Sequence, residues 1–127
     1  IEMELASATF FERDNANFRP EKLPMLTEVA AALKSGAYLE YRVLIENHTS
    51  DQPINTPIYP SNWELSAARS AHIARFFIEQ GLKPSQIVAI GYADTKPKVP
   101  NRDAGGTPIL ENQLQNERTV IKFERVL

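Results

Sequence analysis

The chain has 127 residues, 43% of them hydrophobic and 24% charged, with a net charge of −2, two histidines and no cysteine. That is enough chain for one domain with a real core, and mild acidity leaves no basic footprint for nucleic acid or an anionic membrane surface. Without cysteine, disulfides, thiol catalysis and thiolate metal sites drop out, and no apolar run approaches the roughly 20 residues that span a bilayer.

The sequence opens mid-pattern with IEMELASATFF, so we expect it to be a piece of a longer protein, with any anchoring or targeting segment outside it. Residues 2–11 alternate loosely and predict a strand. A polar, turn-rich stretch, RDNANFRPE, follows. Leu23, Leu26, Ala30 and Leu33 then recur at spacings of three and four, with Val29 alongside, and predict a helix over 21–34. Pro24 is tolerable because it falls in the first turn, and Gly36 is the expected stop.

Residues 38–46 alternate cleanly. Leu39, Tyr41, Val43 and Ile45 share one face, with Glu40, Arg42 and Glu46 on the other, as in a half-buried strand. The loop NHTSDQP (47–53) and a proline-rich run lead to a second helix, over 61–80. Ser61 and Glu64 have capping-box spacing, and Gly81 ends the helix. Ala67, Ala71, Ala74 and Ile78, flanked by Phe77, are the expected core stripe, with small residues allowing close approach to a sheet. Trp63, in the first turn, reads as a packing anchor. IVAIGYA (87–93) predicts a short buried strand, residues 94–117 a long loop with a helical turn at ILENQL, and RTVIKFERVL a last strand, with Ile121 and Phe123 on one face and Lys122 and Glu124 on the other. The order is β-α-β-α-β-β. Helices are expected on one face of a mixed sheet, in a two-layer α/β (α+β) sandwich.

Catalytic chemistry finds little support. His48, Ser50 and Asp51 are near neighbours in one loop, whereas a triad is assembled by the fold with its base oriented by a third group. His48, Asp51 and His72 lack the spacing of a metal motif. No glycine-rich phosphate loop is present. Arg69 is more informative, being two turns into the second helix and one position from the expected core stripe. Its planar donor fork suits a carboxylate, and a nearby acid such as Asp51 suits an ammonium group. Together they match a zwitterionic amino-acid end. Equally, Arg69 and Asp51 pair with each other and brace the loop.

YPSNWELSAARSA (59–71), after VLIENHTSDQP (43–53), resembles the OmpA-like peptidoglycan-binding domain, and within it the periplasmic domain of MotB, the flagellar stator subunit. The family pattern has a strand ending in G-H-T-D, then N-x-x-L-S-x-x-R-A on the next helix, then N-R-R before the last strand. Asn62, Leu65, Ser66 and Arg69 match the helix motif. IVAIGYADTKPKVPN (87–101) matches the third strand and its loop, and NERTVIKF (116–123) the last. The resemblance covers nearly the whole chain and implies a single domain over 1–127 that holds peptidoglycan non-covalently, with no enzyme activity, cofactor or metal. In the family the Asp takes the ammonium of the diaminopimelate stem peptide and the Arg takes a carboxylate. The implied binding residues are His48, Thr49, Ser50, Asp51, Asn62, Leu65, Arg69 and Arg118. Also implied are a periplasmic location, a homodimer, an inner-membrane helix outside this sequence and a MotA-like channel partner. Three positions depart from the pattern: Asn47 replaces the glycine, Ser50 replaces the Asp with Asp51 one residue later, and Glu117 replaces the first Arg. Either Asp51 turns into the site, or the domain has altered or lost its ligand and serves as an envelope interaction domain.

Overall fold

The computed structural model of the chain describes residues 2–35 and 40–125. Among the described residues, four strands, β1 (Glu2–Ala6), β2 (Tyr41–His48), β3 (Ile87–Gly91) and β4 (Arg118–Arg125), form one mixed sheet in the order β1-β4-β2-β3. The pairs β1–β4 and β4–β2 are antiparallel, while β2–β3 is parallel across the helical crossover. Four α-helices accompany them among the described residues: α1 (Ser7–Phe10), α2 (Leu23–Leu33), α3 (Asn62–Glu79) and α4 (Leu110–Asn116). The expected sandwich is therefore present, with two short helices added to the expected order.

The core follows the period-2 and period-3.6 patterns. Val43, Ile45 and Ile121 point from the sheet into a cluster with Leu26, Ala30 and Leu33 of α2 and Ile73 and Phe77 of α3. The polar alternates occupy the other sheet face, where Lys122 pairs with Glu46 and Lys98 with Glu4.

Several local expectations need correction. The first strand stops at Ala6, because residues 7–10 turn into α1 and drive Phe10 and Phe11 into the core. The second strand runs on to His48, so Asn47 and His48 belong to the sheet and the loop begins at Thr49. Gly36, Tyr38 and Leu39 lie outside the described residues. Trp63 is 53% exposed and belongs to neither hydrophobic cluster of the core, contrary to its expected role as a packing anchor.

The α3 stripe is also shifted. Ala67, Ala71 and Ile78 face outward, and the buried positions are Leu65, Ser66, Arg69, Ser70, Ile73 and Phe77. The reason is hydrogen bonding. Ser70 Oγ donates to the Ile90 carbonyl at 2.7 Å, and Ser66 Oγ accepts from the Ala93 amide at 3.0 Å. Small hydroxyl side chains therefore line the helix–sheet contact, where hydropathy pattern alone favours alanine. Close approach itself is present. A side chain at Gly91 would meet the Ala67 backbone nitrogen at 2.4 Å.

Asn47 closes this junction. Its Nδ2 donates to Ser70 Oγ at 2.9 Å, and its Oδ1 accepts from Thr119 Oγ1 at 2.7 Å. A fully buried amide with its partners in place ties β2 to α3 and to β4. The departure from glycine at position 47 thus serves the packing of the sheet.

Candidate functional site

The loop after β2 is held by the extension of β3 and by the start of α3. The Thr49 amide donates to the Ala93 carbonyl at 2.9 Å, continuing the β2–β3 ladder. Asn62, the first residue of α3, donates from Nδ2 to the Gln52 carbonyl at 2.9 Å and to the Ser50 carbonyl at 3.4 Å. Ser61 caps the helix, its Oγ accepting from the Trp63 amide at 3.2 Å and bonding to the Glu64 carboxylate. These contacts place the loop beside the first turns of α3, where Leu65 and Arg69 face it.

A cleft of about 310 Å³ lies between them, bounded by Thr49, Ser50, Gln52, Asn62, Leu65, Arg69 and Glu117, with Arg13 and Asp14 at its edge. Arg69 is 4% exposed. Its Nε donates to the Asn15 carbonyl at 2.9 Å, one Nη to the Glu12 carbonyl at 3.3 Å, and its guanidinium lies 5.0 Å from the centre of the Phe11 ring. Burial pulls its pKa below the ordinary guanidinium value, against the pull of Glu117, Asp14 and Tyr59; the residue stays a cation. The side chain is therefore fixed by the 12–15 turn, with Asp14 in a left-handed conformation (φ 57°). Arg69 does not pair with Asp51.

Asp51 turns away from the cleft. Its Oδ2 accepts from Arg102 Nε at 2.7 Å and its Oδ1 from Gln113 Nε2 at 2.9 Å. The carboxylate facing the cleft belongs to Glu117, whose Oε2 accepts from Ser50 Oγ at 2.8 Å. Among the described residues neither Arg69 nor Glu117 forms an ion pair with another side chain.

Of the residues singled out in the sequence, the fold brings Thr49, Ser50, Asn62, Leu65 and Arg69 together. His48 and Arg118 lie elsewhere, on the far sheet face beside Glu46 and Lys122. His48 stacks on Tyr92 at 5.1 Å between ring centres, with Nε2 3.6 Å from Glu46. Arg118 donates to the carbonyls of Asn116 and Lys96, at 2.8 and 3.0 Å. His72 Nδ1 is 2.6 Å from the Ala16 carbonyl. His48, Asp51 and His72 thus have separate surroundings, and among the described residues no group of three His, Cys, Asp or Glu side chains is arranged for a metal ion. Sequence reasoning missed Arg13, Asp14 and the cleft-facing role of Glu117. The available signal for Glu117 was an acid where the family pattern carries Arg.

The 94–117 segment is an ordered loop ending in α4. Fully buried Asn116 pins it, donating to the Val99 carbonyl and to Asn101 Oδ1, both at 2.8 Å, and accepting from the Lys98 and Val99 amides. Beyond Glu117 the cleft continues into a second hollow, of about 360 Å³, between Ser7, Ala8 and Phe11 and the exposed Leu110 and Leu114 of α4.

The chain is similar in sequence and in fold to known proteins. The chain is 34% identical over 126 residues to the uncharacterized protein YtxE of Bacillus subtilis, covering 98% of this chain and 48% of that protein. It is 25% identical over 121 residues to Motility protein B of Helicobacter pylori strain J99, covering 95% of this chain and 45% of that one. Among solved structures, the cell wall anchor of the T6SS from Pseudomonas aeruginosa superposes with a TM-score of 0.82 at 28% identity, covering 99% of this chain and 81% of that one. The chain spans about half the length of the curated relatives it matches. The OmpA family model matches residues 10–108, and the chain belongs to that family.

Proposed function

We propose that this domain binds peptidoglycan without catalysis, taking an amino-acid end of the diaminopimelate stem peptide into the Arg69 cleft, and so ties an envelope complex to the cell wall. The observation that carries the reading is Arg69 itself. A guanidinium has been buried at a cleft wall and fixed by backbone carbonyls, with no side-chain carboxylate paired to it among the described residues. Desolvating a cation is costly unless a partner compensates, and a ligand carboxylate is the partner such a fork suits. Membership of the OmpA family and the likeness to a cell wall anchor support the same reading.

The likeness to Motility protein B supports the stator form of this role. On that reading the full-length protein is a homodimer, sits in the periplasm behind an inner-membrane helix, and grips the wall so that a MotA-like channel partner delivers torque to the rotor. The contrary reading, an envelope interaction domain without this ligand, draws on the outward turn of Asp51 and the hydroxyl at position 50. Co-sedimentation with purified diaminopimelate-type sacculi at low salt separates the two. The unaltered domain is expected in the pellet and Arg69→Ala in the supernatant, with Arg69→Lys intermediate because it keeps the charge and loses the fork. Failure of the unaltered domain to sediment removes the wall-binding reading.

A further inference from the structure

We propose that Glu117, at the junction of α4 and β4, is the carboxylate that receives the ammonium group of the ligand, supplied from outside the loop that was expected to carry it but in contact with that loop through Ser50. This rests on the reading of the Arg69 cleft as an amino-acid site.

Three observations lead to it. First, Arg69 and Glu117 line one cleft and interact electrostatically, yet neither neutralises the other through an ion pair. A cation and an anion lining one cleft, neither in an ion pair among the described residues, are complementary to a group carrying both signs. Second, the other acids are spent or badly placed. Asp51 is held outside by Arg102 and Gln113. The Asp14 side chain is 66% exposed at the rim, beside Arg13. Third, Ser50 cannot itself supply the charge, but it orients the group that does. Its hydroxyl gives its one proton to Glu117 Oε2 and accepts the Gln52 amide at 3.3 Å. That contact uses one carboxylate oxygen and leaves the other for an ammonium.

The sequence departures at positions 50 and 117 then form one change. The acid missing from position 50 is found at position 117, directly across a hydrogen bond. Ser50 is a positioning residue, and Glu117 the binding residue.

The test pairs a variant with a modified ligand. Glu117→Gln keeps the shape and the hydrogen bond from Ser50 while removing the charge. Sedimentation is measured with diaminopimelate-type sacculi before and after N-acetylation of their free amines, with circular dichroism and melting to verify folding. For the unaltered domain, acetylation is expected to weaken binding about tenfold or more, the loss that follows when a hydrogen bond between charged groups is removed. Glu117→Gln is expected to show the same loss on untreated sacculi and little further loss on acetylated ones. If Glu117→Gln binds untreated sacculi as the unaltered domain does, or is just as sensitive to acetylation, the assignment is overturned while the wall-binding reading stands. If the unaltered domain binds neither preparation, both fall. A variant that melts early is replaced by Glu117→Asp, which retains the charge and is expected to retain the sensitivity to acetylation; loss of that sensitivity in a folded Glu117→Asp domain overturns the assignment.

Discussion

Asp51 and Arg102 are joined by a 2.7 Å hydrogen bond between Oδ2 and Nε, fastening the loop after β2 to the loop before α4. Gln113 of α4 completes the grip on the other oxygen. Burial alone raises the Asp51 carboxyl, but the bonds from Arg102 and Gln113 outweigh it and hold the pKa below its ordinary value. The contribution is therefore present above the ordinary carboxylate range and lost as pH falls through the lowered value. Asp51→Asn is expected to loosen the 101–109 turn, where the Asp103 amide bonds to the Thr107 carbonyl and Ile109 to Asn101. Hydrogen exchange at those two amides should quicken. Arg102 is 42% exposed in its side chain, so the global cost is about 1 kcal/mol or less. Unchanged exchange at both amides would show that the Asp51–Arg102 contact does not order the loop.

Gly91 bears on the helix–sheet contact. A methyl group there would sit 2.4 Å from the Ala67 nitrogen, 2.7 Å from its Cα and 2.7 Å from Ser66 Oγ. Two of those three atoms are helix backbone, which cannot swing aside as a side chain does. Gly91→Ala therefore requires α3 to move off β3 and is expected to cost ~1–3 kcal/mol, the range for overpacking a close-packed interior. Because α3 also carries Arg69, wall binding should weaken with it. Thermal or urea unfolding measures the first effect, and a melt equal to that of the unaltered domain would refute it.

His48 gives the stability a pH dependence with a definite sign. Burial pushes its imidazole pKa below the ordinary 6.5, helped by Arg118 and Lys122 and opposed by Glu46. Its Nδ1 is buried without a hydrogen-bond partner among the described residues. The unfolded chain therefore binds a proton at a pH where the folded chain does not, so stability falls as pH drops below the ordinary imidazole value and levels off below the folded one. Urea midpoints taken from about pH 7.5 down to about pH 5.5 should decline, and the decline should flatten in His48→Gln. An equal decline in both proteins would assign it to other groups.

The segments that hydropathy read well share one property, a single face buried by a single kind of side chain. Leu26, Ala30 and Leu33 on α2, Val43 and Ile45 on β2, and Ile121 on β4 all reach the core as their periodicity requires. The motif residues Asn62, Leu65 and Arg69 are likewise legible, because one helix carries all three at fixed spacing. By itself the sequence thus determined the sandwich, the helix that bears the guanidinium, and the loop set opposite it. It mistook the buried face of α3, since Ser66 and Ser70 are buried by hydrogen bonds to the sheet, which no hydropathy pattern registers. The partners of each charge were decided only by the tertiary structure. Asp51 and Ser50 are adjacent in the chain, yet one reaches Arg102, 51 residues on, and the other Glu117, 67 residues on. Such pairings depend on which way each side chain leaves a folded loop and which distant elements pack beside it, and sequence spacing carries neither.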